Sequence, residues 1–306
     1  MKRKWKLWMI AFVVFVMTDI MMQSNRAEAK KRTFTVSSKT IPCSSSYRQK
    51  PYYNKKTKQY YMINSYMRRL STTGGTLKLK KGTYKIPGTI YVPSNVKIVC
   101  ANGVKIKKTK ATGTKKVKST KFLFQMISEE KASGKQNTGK YAASKNASIQ
   151  GNGKVIFDMG NVNGATAVFV GHASGITVSG VRFRNKKGGS YIWIEGSKNI
   201  SVRQCVFERK KDVSGLKNRM AVRLETSNQT TSDFSGKWYK KVKIENNQFL
   251  GADVGIGTTK SVVLEKNKQT KEYYQTSITI AANTFTNTKK APIYAVLWKK
   301  PTIKKN

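Results

Sequence analysis

Apolar positions along the chain repeat one short pattern: Ile176-x-Val178 with Phe183, Ile200-x-Val202 with Phe207, Val242-x-Ile244 with Phe249, and Ile278-x-Ile280 with Phe285. The first residue, the third and the closing Phe advance together, by 24, 42 and 36 residues, so these are copies of one unit with insertions between some of them. Within each copy, apolar and polar residues alternate over a span that suits a short half-buried strand. Such a unit buries its apolar stripe only by stacking on the next, which predicts a solenoid. Short alternating segments at 76–80, 82–86, 88–92, 96–98 and 104–106, bounded by Gly, Pro or Asn, extend the pattern toward the N-terminus, and 148–157 resumes it after two lysine-rich polar excursions. A coil of roughly two dozen residues holding three short strands has no room for a helix. The fold class is therefore all-β, a parallel β-helix with strands of adjacent coils about 4.8 Å apart. Five residues after the first apolar position stand Val181, Cys205, Asn247 and Asn283, and Asn at neighbouring turns can stack amide on amide.

The first thirty residues read differently. Lys2, Arg3, Lys4 and Lys6 precede an apolar run over 7–17, and Ala27-Glu28-Ala29 offers a small-x-small cleavage site before Lys30, the pattern of an export signal. Asp19 interrupts the run, and no later apolar stretch approaches the ~20 residues that span a bilayer. The expectation is a signal peptide over 1–29 and a secreted chain without stable membrane insertion, a retained N-terminal anchor being the alternative. Residues 30–72 make an arm and a capping helix. Residues 30–58 are polar and lysine-rich, suggesting a loose or draped arm, whereas Tyr60, Ile63, Met67 and Leu70 recur at helical spacing until Thr73-Gly74-Gly75. A helix there is placed to cover the open end of the solenoid, which occupies 73–306.

Charge narrows the partners. The chain carries 60 Lys+Arg against 14 Asp+Glu, net +46; without residues 1–29 the balance is 55 against 12, net +43. Such an excess attracts polyanions with an affinity that falls steeply with salt. For an exported protein these are acidic polysaccharides or anionic wall polymers, which would hold it at the cell wall; no nucleic-acid recognition motif accompanies the charge. A solvated basic surface is the plainer reading. Cys43, Cys100 and Cys205 are odd in number, so at least one has no partner within the chain. Cys205 sits inside a repeat and suits a buried apolar role, while a bridge between Cys43 and Cys100 stays open.

A second row precedes each repeat: Val168/Val170, Ile192/Ile194, Val222/Leu224 and Val254/Ile256 point inward at alternate positions. Their neighbours then point out: Ala167, Phe169 and Gly171; Tyr191, Trp193 and Glu195; Ala221, Arg223 and Glu225; Asp253, Gly255 and Gly257. Stacking sets Glu195 beside Glu225 and Trp193 beside Arg223, with His172, the single histidine, near Glu195. Paired carboxylates can divide acid and base roles, and His172 can carry a proton. Arg223 can grip a sugar carboxylate, exposed Tyr191 and Trp193 can stack on rings, and Asp253 completes the binding row. Strand spacing brings the two carboxyls nearer the ~5–5.5 Å of a retaining glycosidase than the ~6.5–9.5 Å of an inverting one, and proximity would raise one pKa. Ion pairing with surrounding lysines is the structural alternative.

Gly74-Gly75-Thr76-Leu77-x-Leu79-x-x-Gly82-Thr83-Tyr84-x-Ile86, followed by Ile90-x-Val92-Pro93-Ser94-Asn95-Val96-x-Ile98, resembles the opening coils of the pectin-lyase-like superfamily of right-handed parallel β-helices. Asn199-Ile200-x-Val202-x-x-Cys205-x-Phe207 resembles its interior repeat. The resemblance spans about residues 60–298 and implies a right-handed coil. It implies less about chemistry, because the superfamily holds polysaccharide lyases, polygalacturonase-type hydrolases, epimerases, esterases and non-catalytic adhesins. Residues 168–174 look like a segment of secreted bacterial relatives of pectin-degrading enzymes in which a His follows the strand. Coils that follow in those relatives often read His-x-Ile-Glu and Glu-Ala-Ile-x-x-Asp. Here Tyr191-Ile192-Trp193-Ile194-Glu195 lacks that His, and Met220-Ala221-Val222-Arg223-Leu224-Glu225 has Met for the first acid and Glu for the last. The polygalacturonase Asn-x-Asp, Asp-Asp and Gly-His-Gly signatures and the calcium acids of pectate lyases are not recognisable, so the expectation is no metal and no cofactor.

Two functions follow. One is cleavage of an acidic, uronic-acid-type polysaccharide, by Glu195 and Glu225 in a hydrolase or by His172 as base with Arg223 stabilising enolate-like charge in a lyase. The other is non-catalytic binding of anionic cell-wall or matrix polymers by charge.

Overall fold

Alternation of inward and outward side chains shapes the computed structural model, which describes residues 32–134, 141–208, 220–225, 240–258, 263–264, 270–271, 275–296 and 298–306; the expected signal segment lies outside them. Among the described residues three parallel sheets of nine, seven and seven strands run along the stack, each strand pairing with its counterparts on neighbouring coils. The expected rows pair in register. Ile176, Ile200, Val242 and Ile278 form one line in the first sheet, and Val178, Val202, Ile244 and Ile280 the next. Phe183, Phe207, Phe249 and Phe285 line the second sheet with ring centroids 5.1, 4.8 and 4.7 Å apart. Burying each such side chain contributes about 1.5–3 kcal/mol, and ring stacking adds to it.

The bend between the first and second sheets is short and uniform. One residue in the left-handed region turns the chain at Gly180, Gln204, Asn246, Ala282 and Lys305, with φ between 51° and 68°. The residue after it is buried at Val181, Cys205, Asn247 and Asn283. Asn247 donates from Nδ2 to the Val202 carbonyl (3.0 Å) and to Asn283 Oδ1 (2.9 Å), and its own Oδ1 accepts the Cys205 N–H (2.9 Å). Asn283 repeats the arrangement onto Ile244 and Asn306. The amide ladder thus satisfies backbone groups that the bend would otherwise bury unpaired.

The N-terminal end is closed in three ways, one per sheet. The Arg32–Val36 strand, which composition places in a loose or draped arm, pairs in parallel with Gly75–Leu79 and covers the first sheet; its Val36 reaches the core. The Lys58–Leu70 helix buries Ile63, Met67 and Leu70 as its spacing predicts, with Tyr60 packed half-buried against the same core. Its Gln59 accepts the Lys85 N–H and donates to the Thr83 carbonyl, occupying the edge of the second sheet. Its Asn64 accepts the Tyr91 N–H and donates to the Thr89 carbonyl, doing the same for the third. Edge strands that would template further pairing are satisfied by side chains instead.

Two predictions arise from this packing. Asn247→Ala removes one rung and takes a partner from the Cys205 N–H and from the Val202 carbonyl; urea unfolding should show a loss of about 2–4 kcal/mol, and a change below about 0.5 kcal/mol would contradict the ladder's role. All three cysteines are free, Cys43 exposed and the others buried, with burial pushing both buried thiols up to about 12. A disulfide reagent should therefore titrate one thiol in the native protein and three after denaturation. Two or three fast native thiols would contradict the burial.

Candidate functional site

The third sheet carries the candidate row. Its Thr166–Gly171, Ile192–Glu195 and Met220–Glu225 strands pair so that Trp193 lies between Phe169 and Arg223, and Glu195 lies between Gly171 and Glu225. The expected neighbours, Glu195 with Glu225 and Trp193 with Arg223, are register partners. Arg223 stacks its guanidinium on the Trp193 ring, Cζ lying 3.6 Å from the centroid, and its Nε is 3.4 Å from Glu225 Oε1. A desolvated cation over an indole face is worth about 2 kcal/mol, so the Trp193 face expected to meet a sugar ring already holds Arg223.

His172 follows its strand in the left-handed region at φ 50°, and its backbone N–H donates to the Glu195 carbonyl at 3.1 Å. Ser197 Oγ donates to the Val170 and Glu195 carbonyls and accepts the Ala173 N–H. This hydroxyl ties the two coils together at the turn that holds His172 and Glu195.

Three expectations need correction. First, the row is not an open ledge: Glu195 is 1% exposed, His172 2%, and Arg223 and Glu225 8% each. Alternation decides which face a side chain takes, and not what lies over that face. Second, Tyr191 is a core residue, 1% exposed, its ring among Phe183 and Phe207 and its hydroxyl donating to the Glu208 carbonyl. It precedes the first strand residue, Ile192, so the chain is still turning and the ring points back inside. Third, Asp253 sits two residues away from its expected place. Val222 pairs with Ile256 and Arg223 with Gly257, not Val222 with Val254. Asp253, buried, therefore lies four residues, roughly 13 Å, before the position opposite Arg223.

What remains partly open is an aromatic ledge that only partly shows in the sequence. Phe122 stacks on Phe169 at 4.6 Å with the planes 8° apart, and Phe169 meets Trp193 edge to face at 4.9 Å. All three rings are half-buried. Phe169 is recognisable as outward, but Phe122 is not, because Leu123 and Phe124 beside it are both buried and mask the alternation. The Trp193 indole N–H has no acceptor among the described residues. Also among them, no group of three or more His, Cys, Asp or Glu side chains is gathered as for a metal ion, and no helix is long and apolar enough to cross a membrane.

Comparison with known proteins supports the architecture. The family model described as "Right handed beta helix region" matches residues 134–306, more than half of the chain. The chain belongs to the right-handed β-helix family. Solved structures match this chain at low identity. One structure of PfbA, a surface adhesin of Streptococcus pneumoniae, is 18% identical with a TM-score of 0.61, covering 80% of this chain and 57% of that one. A second structure of the same adhesin is 16% identical with a TM-score of 0.61, covering 88% and 65%. This chain thus spans about 57–65% of the adhesin chains it matches. A family 28 exopolygalacturonase of Yersinia enterocolitica is 11% identical with a TM-score of 0.43, covering 89% and 76%. No curated protein matches the sequence. At these identities the likeness is one of fold alone, and the right-handed coil that the sequence resemblance implies rests on the family match.

Proposed function

We propose that this β-helix protein acts outside the cytoplasm on an acidic polysaccharide, cleaving glycosidic bonds at the outer face of the third sheet. The observation that carries the reading is the in-register pair of Glu195 and Glu225, with Arg223 and Trp193 one alternate position away and His172 at the strand end. Adjacent coils separate their backbones by about 4.8 Å, near the ~5–5.5 Å between carboxyls of retaining enzymes. Glu225, held by Arg223, serves as the nucleophile, and Glu195 donates the proton to the leaving oxygen. His172, anchored through its backbone to Glu195, relays protons or, in a lyase, abstracts one. Arg223 is then placed to stabilise the resulting anion.

Burial of both glutamates favours a second reading, in which Arg223 and the two acids form a structural cluster and the protein binds anionic polymer without cleaving it.

Incubation with polygalacturonate, alginate and hyaluronan, following reducing ends and ultraviolet absorbance together, separates hydrolysis from elimination. The double change Glu195→Gln, Glu225→Gln should lower turnover by roughly 10²–10⁴-fold while salt-sensitive binding persists. Turnover unaffected by the double change would overturn the assignment, and binding without turnover in the unaltered protein would leave the binder reading.

A further inference from the structure

Beside the aromatic ledge lies a groove of about 720 Å³, within the ~300–1,000 Å³ range of ligand clefts. It opens between the loop at 107–121 and the turn at 160–163, with Lys187 contributed by the next coil. Lys107, Lys110, Lys121 and Lys187 line it, together with Asn161 and Asn163, and among the described residues no carboxylate does. None of these four lysines is in a salt bridge with a described residue, whereas Lys105, on the same strand as Lys107, pairs with Asp158 at 3.1 Å. Asp158 is the register partner of Lys107, yet it is already taken up by Lys105, Arg184, the Asn185 amide and the Gly160 N–H. Four like charges therefore line one concavity with no anion among the described residues paired to them to offset their repulsion.

The walls are held in place. Lys108, also in the groove's wall, holds its ammonium in a buried cage of the Pro87, Gly88 and Phe122 carbonyls and Thr120 Oγ1, at 2.8 to 3.3 Å. That cage clamps the two ends of the 107–121 loop together. Gly160, at φ 59°, turns the opposite wall so close that an added Cβ would meet the Lys108 carbonyl at 2.3 Å. The groove also leads to the ledge, since Lys121 at its rim precedes Phe122, the first ring of the Phe122–Phe169–Trp193 series. Lysines from coils two steps apart, ~9.6 Å along the axis, can hold successive anionic groups of one flexible polymer.

We infer that this groove anchors the anionic groups of an acidic polysaccharide whose rings continue across the aromatic ledge. The inference rests on the polysaccharide reading above but not on cleavage: it assigns the polymer's charge to four named lysines rather than to the general excess of basic residues.

The test compares Lys107→Gln/Lys110→Gln/Lys121→Gln/Lys187→Gln with a control of equal charge on the outer side of the first sheet, Lys78→Gln/Lys97→Gln/Lys240→Gln/Lys243→Gln. Binding of polygalacturonate, a sulfated galactan and neutral dextran is measured at low and moderate salt. The groove variant should bind both polyanions at least ten-fold more weakly and with a shallower salt dependence, the control variant within two-fold of the unaltered protein, and dextran should show no difference. A preference for one polyanion identifies carboxylate or sulfate as the recognised group. Equal weakening by both variants, or by neither, would overturn the inference. Lysine acetylation of the unaltered protein, read by mass spectrometry, gives an answer that does not depend on the variant folding: polygalacturonate should protect the four groove lysines and spare Lys78, Lys97, Lys240 and Lys243. Uniform protection would again overturn it. The Glu195→Gln, Glu225→Gln protein distinguishes the two readings, because loss of its turnover is scored independently of what the lysine variants do to binding.

Discussion

Coil-to-coil hydrogen bonding in a constant register is the constraint on which everything else depends. Residues at one register position on successive coils are neighbours about 4.8 Å apart, inside the solenoid and outside it alike. The same pairing that stacks Phe183, Phe207, Phe249 and Phe285 in the core also sets Phe169, Trp193 and Arg223 in one outer column and Gly171, Glu195 and Glu225 in the next. A slip of one residue would turn core rows outward and expose them, so the apolar rows guard the outer columns against it. A slip of two preserves the faces. That is the one error the hydrophobic pattern leaves open.

Legibility follows from turn length. Between the first and second sheets the left-handed residue and its successor make a bend of constant length, so the Phe always falls seven residues after the first apolar position and the whole repeat can be read directly. Between the second and third sheets the connection varies: nine residues from Phe183 to Ile192, fifteen from Phe207 to Val222, seven from Phe249 to Ile256. Alternation alone then permits Val254 where Ile256 stands, and Asp253 is displaced with it. Tyr191 fails for a related reason, since alternation holds within a strand and not at the corner before it. The pairing of Glu195 with Glu225 was legible because both lie inside strands. Their burial was not, because nothing in a strand's own residues says what covers its outer side.

The outer surface divides its work by chemistry. Carboxylates, guanidinium and imidazole gather under cover near the strand ends, where charges interact strongly once removed from water. Aromatic rings remain half-open beside them, and lysines without a salt bridge to a described residue occupy the groove beyond. On the proposed reading, a polyanion drawn in by long-range charge meets the lysines first and the rings next, with the buried acids at the end of the path. Fold stability rests on the inward rows, the asparagine ladder and the capped N-terminal edges, which leaves the outer columns free to carry function.

The stack itself can be measured with one distance. Lys97, Ser148, Thr177, Ser201 and Lys243 occupy one register column of the first sheet, and Lys97 and Lys243 are both exposed. Four coil steps separate the ends of that column, a backbone distance of ~19 Å. Spin labels at Lys97→Cys and Lys243→Cys, with Cys43→Ser to remove the exposed thiol, should give a single distance distribution centred near that value and broadened by the label tethers. A distribution centred at twice that distance, or one with several well-separated maxima, would contradict the stacking from which the fold and the proposed site both derive.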